Sequence, residues 1–242
     1  MADLHDNEEN IESREVGAAV DAAESEALDP KLKKGITVFT ISLIAVFLII
    51  LGYQYMQEEN QKQSVEASNR LVRVQQLMSE GNTDAALMGS QEVSRGGEPI
   101  MGYKEIATKY QSLEAGKTAA LNAGKLYLDN ADMDNAQKMF DIALGSDVMI
   151  TRMGAKAGMA AIMEAKGNNS EAAVMYNDAA SLAQATNLKQ KYTYFAGLNR
   201  AIEGNGEAAF ETLNKAIKLS PASQWANMAK LELGRLGMEI AH

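Results

Sequence analysis

The chain has 242 residues, a formal net charge of −9 and no cysteine. That excludes disulfides, thiolate metal sites, a thiol nucleophile and a lipid-modified cysteine. The two histidines, His5 and His242, stand at opposite ends of the sequence. No neighbour of either suggests a base or a metal ligand, so an enzyme, a metal and a cofactor are all unexpected.

Residues 1–34 form an acidic leader. The first 30 residues hold ten acids against one base, Arg14, with no aromatic residue. Such a segment cannot bury enough apolar surface to offset the entropy of ordering, and a disordered tail is predicted. Residues 16–28 have the pattern of a short helix that would form on a partner.

Lys31, Lys33 and Lys34 then precede GITVFTISLIAVFLIILGY, Gly35 to Tyr53, which has no charge and no proline. At ~1.5 Å per residue these 19 residues span roughly 28 Å of helix, close to a bilayer's hydrocarbon core. A helix satisfies its own backbone hydrogen bonds and tolerates lipid on all sides. We read residues 35–53 as a single transmembrane helix. Lysines favour the cytoplasmic side, and Tyr53 and Tyr55 fit the opposite interface. The N-terminus is therefore expected inside and the C-terminal domain outside. A cleaved signal peptide is the poorer reading, because the leader is long and acidic and no A-x-A follows.

Residues 54–98 read as a linker helix and loop. Met56 to Glu80 is rich in helix formers, with an imperfect stripe of Val65, Leu71, Val74 and Met78, and Gly81 ends it. The stripe also allows a homo-oligomer, although its periodicity is short for a coiled coil. A short helix and a loop containing Gly96-Gly97 are expected to follow. Beyond the span, 22 acids and 19 bases leave no basic patch, so nucleic acid is not an expected partner.

Residues 99–242 are alanine-rich and self-similar. Three pieces align: Ala119 to Leu144, Ala155 to Ala180, and Tyr192 to Ile217. Each has a small residue in its first helix: Gly124, Ala160 and Gly197. Each has a turn: Asn130-Ala131-Asp132, Gly167-Asn168-Asn169 and Gly204-Asn205-Gly206. Each then has a small–bulky–small triplet: Ala136-Phe140-Ala143, Ala172-Tyr176-Ala179 and Ala209-Leu213-Ala216. Small residues let paired helices approach closely, and the bulky one fills the gap to the next pair. Met139, Met159, Met163 and Met175 fall at packing positions. A degenerate unit is expected upstream, with Tyr103 to Tyr110 as its second helix. Ser220-Pro221 reads as an N-cap followed by proline at the first position of a covering helix that holds Trp225.

These units resemble the tetratricopeptide repeat, an αα-hairpin of about 34 residues. Gly124, Tyr127, Ala136, Phe140 and Ala143 carry the likeness, and Pro221 matches the proline that closes a unit. Ala160 and Met163 depart from it in the second unit, and Arg200 in the third. The resemblance implies an all-α fold: one transmembrane helix followed by a tetratricopeptide-like α-solenoid. In such arrays the first helix of each hairpin lines the groove. That places Leu121, Lys125 and Leu128, then Ala157, Ala161 and Glu164, then Tyr194, Leu198 and Ala201 in a partner-binding groove. The set is mainly apolar, and the expected ligand is an apolar or helical protein segment, bound with little dependence on salt. It lacks the lysine–asparagine clamp that grips a terminal carboxylate.

The layout of tail, single span and repeat domain, with YKEIATKYQSLEAGKTAALNAGKLYL (Tyr103 to Leu128), is similar to the bacterial family of ancillary Sec-translocon subunits. That resemblance implies inner-membrane anchoring with a periplasmic domain. It also implies contact with translocon subunits, periplasmic chaperones or exported clients. The alternative is an envelope-biogenesis or cell-division scaffold that oligomerises and recruits partners without handling clients.

Overall fold

In a computed structural model of the chain, residues 30–93 and 99–238 are described. The expected disorder of the acidic tail, and its candidate helix at 16–28, lie outside these residues. Two compact units divide the chain, residues 1–59 and 60–242.

Helix α1 runs unbroken from Pro30 to Ser79, 50 residues. Proline suits a first helical position, where its missing N–H would have no partner anyway. Residues 30–34, assigned to the tail from sequence, are thus helical. In the first unit, every residue from Lys34 to Glu59 is exposed. The hydroxyls of Thr40 and Ser42 donate to Ile36 O and Val38 O at 2.8 and 2.9 Å, so both are satisfied within the helix. The helix is long and apolar enough to cross a membrane.

The second unit begins with the last turns of α1. Ala67, Leu71, Val74, Leu77 and Met78 pack against α2 (Thr83–Met88) and α3 (Tyr103–Lys109) through Ala86, Leu87, Tyr103 and Ile106. Val65 does not join them. It is 57% exposed, because at 100° per residue it lies well away from the face carrying Ala67 and Val74. The rest of the predicted stripe packs inside this chain, Val74 buried and Leu71 and Met78 partly so.

A two-stranded antiparallel sheet, β1 (Ser90–Val93) with β2 (Pro99–Ile100), stands where a loop was expected. Two glycines permit it. A Cβ on Gly102 would lie 2.3 Å from Gly89 N and 2.4 Å from Leu87 O. Only bare backbone fits where β2 leads past the end of α2.

The remaining helices are α4 (Glu114–Asp129), α5 (Met133–Leu144), α6 (Met149–Ala165), α7 (Asn169–Leu182), α8 (Thr186–Ile202), α9 (Gly206–Leu219) and α10 (Gln224–Arg235). Each packs on its neighbour in sequence, and α4 also meets α6, as α8 meets α10. The three aligned units are the hairpins α4–α5, α6–α7 and α8–α9. Helix α3 packs on α4.

One turn recurs. A residue with positive φ is followed by Asn or Asp at the next helix's N-cap: Gly81-Asn82, Ala131-Asp132, Gly167-Asn168 and Gly204-Asn205. At each, the cap N–H reaches back to a carbonyl five residues earlier: Leu77, Tyr127, Met163 and Arg200. This pairing satisfies carbonyls that a helix end otherwise leaves bare. Asn82, Asp132 and Asn205 also accept from Ala85 N, Asn135 N and Ala208 N at 3.1–3.2 Å. The same turn thus precedes α2 as well as the second helix of each aligned hairpin.

The predicted start of the last helix is corrected. Ser220 is extended and ends α9, Pro221 follows it in a turn, and Ser223 is the cap of α10, accepting from Ala226 N at 3.1 Å. The cause is Gln190. Its buried amide donates to Ala216 O and Ser220 O and accepts from the Ser223 hydroxyl. Those bonds hold residues 220–223 as a turn, closed by Ser223 N to Ser220 O, with proline at the second position as turns favour.

Candidate protein-binding cleft

Phe140 of α5 is fully buried and fills the space between two glycines. A Cβ on Gly124 of α4 would come within 2.6 Å of its ring, and one on Gly158 of α6 within 2.3 Å. The ring thus joins the first hairpin to the second at the distance that missing side chains allow. In the third unit Phe195 stands where Gly158 stands in the second. The ring of Tyr176, which occupies the Phe140 position, stacks on Phe195 with centroids 5.3 Å apart.

Above these rings lies an open cleft of ≈ 440 Å³. Its walls come from α4 (Leu121, Lys125, Leu128), α6 (Ile150, Met153, Gly154, Ala157, Gly158, Ala161) and α8 (Leu188, Lys191, Tyr192, Phe195), with Phe140 and Tyr176 reaching in from α5 and α7. The first helices of three successive hairpins therefore share one surface. Its size falls within the ~300–1,000 Å³ usual for ligand sites, and its lining is mostly apolar.

The electrostatics are one-sided. The lining contains Lys125 and Lys191 and no carboxylate. Lys191 Nζ lies 5.6 Å from the Tyr192 ring centroid and 5.9 Å from that of Trp225. The Lys125 ammonium is held below the ordinary lysine pKa, first by lost hydration and then by Lys191, with Asp129 opposing. Lys125 is nevertheless exposed, in a wall that strips only part of its water. Glu164 stands behind the cleft and accepts the Tyr176 hydroxyl at 2.9 Å. Burial first, and then the Glu164 charge, push the Tyr176 phenol up, so it remains a neutral donor.

Of the nine groove residues expected from sequence, five line the cleft: Leu121, Lys125, Leu128, Ala157 and Ala161. Leu121 also packs between helices, since a Cβ on Gly154 would meet it at 3.0 Å. Glu164, Tyr194, Leu198 and Ala201 are not among the lining residues. Tyr194 is buried against Phe195 and Trp225, with centroids 5.4 and 5.8 Å away. Leu198 packs in the same C-terminal cluster, and Ala201 is buried.

The reason is geometric. Repeating one face along the array selects the side of each first helix that looks toward the next hairpin. On α8 that side faces α10. The cleft instead uses the side of α8 that looks back at α6, three residues earlier: Leu188, Lys191, Tyr192 and Phe195. A Leu-x-x-Lys-Tyr-x-x-Phe spacing on α8 marks that adjoining face in the sequence.

A comparison of the chain with protein-family models and with curated proteins finds no match.

Proposed function

We propose that the chain is a membrane-anchored protein-interaction module, with α1 as its anchor and the hairpins as a tetratricopeptide-like solenoid. The observation that carries this reading is the cleft built by α4, α6 and α8. The sequential packing of hairpins and the recurrent turns support the solenoid. On this reading the basic end of α1 is cytoplasmic, and the repeats lie in the periplasm at the inner membrane. The resemblance to ancillary Sec-translocon subunits makes translocon subunits, chaperones or exported clients the partners.

The test is in-cell photo-crosslinking from Leu128, in the cleft, and from Asp141, exposed on α5, followed by mass spectrometry. Translocon, chaperone or client adducts should form at Leu128 and not at Asp141. Equal adducts at both positions would contradict the reading.

One observation favours the scaffold alternative. On α10, Leu231 is 75% exposed and Met228 is 40% exposed, whereas the end of a repeat array ordinarily needs a polar outer face. A second copy stacked there would make an oligomer. Sedimentation of the full chain in detergent would show a species that Leu231→Asp dissociates. A monomer at all concentrations would exclude it.

A further inference from the structure

Several lysines of the second unit sit beside a carboxylate. Lys117 binds Glu114 at 2.9 Å, Lys156 binds Asp178 at 2.7 Å, and Lys109 lies 3.7 Å from Glu66. Lys125 and Lys191 differ. Both line an apolar cleft, and among the described residues neither is in an ion pair. The nearby acids are already engaged or outside the cleft. Glu164 is taken by Tyr176, and Asp129, one turn beyond Lys125, is exposed and makes no ion pair with it.

A wholly apolar ligand seated here would cover two ammonium groups without supplying a counter-charge. Covering an unpaired charge is costly, and a carboxylate brought by the ligand offsets that cost. Partly exposed Phe195, backed by the nearly buried rings of Tyr176 and Tyr192, meanwhile offers a seat for a large apolar side chain. A terminal carboxylate alone would leave that seat empty.

We propose that the cleft takes an amphipathic protein segment whose apolar face sits on that aromatic seat and whose internal glutamates or aspartates pair with Lys125 and Lys191. This rests on the cleft being the binding site, and it replaces the expectation of salt-insensitive binding. The segment is selected by charge beside its apolar face, so acidic amphipathic segments are admitted and basic ones are turned away. Exported or partner chains would be sorted at this surface by that pattern.

The test uses the full chain in lipid nanodiscs and two fluorescein-labelled helical peptides. Both carry the same Leu and Phe face; one has Glu beside it and the other has Lys. Fluorescence anisotropy should give ~10-fold tighter binding of the acidic peptide, because opposite charges aid docking and like charges oppose it. Raising salt from about 0.05 to about 0.3 M should weaken the acidic peptide, as the screening length shortens from about 14 to about 6 Å. In the Lys125→Gln, Lys191→Gln double variant the preference should vanish while circular dichroism is unchanged. Equal binding of the two peptides to wild type, or a preference that survives in the double variant, overturns the charge selection and leaves the cleft as a binding site. If neither peptide binds, the cleft reading falls with it.

Discussion

Ala131 has φ 57° where Gly81, Gly167 and Gly204 hold the equivalent place in the other turns. A side chain in this left-handed region costs ~1–2 kcal/mol, partly offset by the lower entropy of the unfolded chain. Gly167 and Gly204 have nothing within 4 Å of an added Cβ, so the penalty there is conformational and not steric. Gly167→Ala and Gly204→Ala should each destabilise by ~1 kcal/mol, and Ala131→Gly should stabilise by up to ~1 kcal/mol. Thermal unfolding of the full chain in detergent measures all three, and unchanged midpoints would show that the turns carry no strain. Glu114 gives a pH prediction. Burial pulls its pKa up, but the Asp147 N–H, the Ser146 hydroxyl and Lys117 outweigh burial and hold it at about 2. Its pKa is depressed on folding, so its contribution is full above the ordinary carboxylate range and is lost as pH falls toward 2. Glu114→Gln should lower the melting temperature at pH 7 and narrow its gap to wild type as pH drops through 4 toward 2. A gap independent of pH would contradict this.

At the scale of elements, the hairpins stand on contacts that admit no extra methyl. Gly158→Ala would place a Cβ 2.3 Å from the buried Phe140 ring, and overpacking of this kind costs ~1–3 kcal/mol. A melt as stable as wild type would mean that Phe140 can move. Ala172→Leu, at a fully buried position, should cost a similar amount. The helices and their turns were readable from sequence because small residues, turn residues and bulky residues recur at one spacing. Two features were not. The cap of α10 moved from Ser220 to Ser223 because a glutamine 30 residues away holds the intervening turn, and no local pattern reports that contact. The third set of groove residues lies outside the cleft because periodicity tells which residues share a face, but not which flank two neighbouring helices leave open. Tyr194 and Leu198 share the expected face, and α10 covers it. The Gly89–Gly102 approach that allows the small sheet was likewise unreadable, since each glycine alone signals only a turn.

For the whole molecule, the proposed reading joins an apolar α1 to hairpins that share a cleft. The cleft carries that account, and its rim offers a matched pair of residues. Ile150 is 55% exposed and lines the cleft, and Val174 on α7 is 58% exposed and is not among its lining residues. Aspartate at either site is solvated, so neither substitution should unfold the chain, and both variants should melt within about 0.5 kcal/mol of wild type. The decisive measurement is recovery of bound proteins with the full chain from detergent-solubilised membranes, compared for Ile150→Asp and Val174→Asp. The account predicts that Ile150→Asp loses its partners and Val174→Asp keeps them. Partners retained by both variants, or lost equally from both, would contradict it.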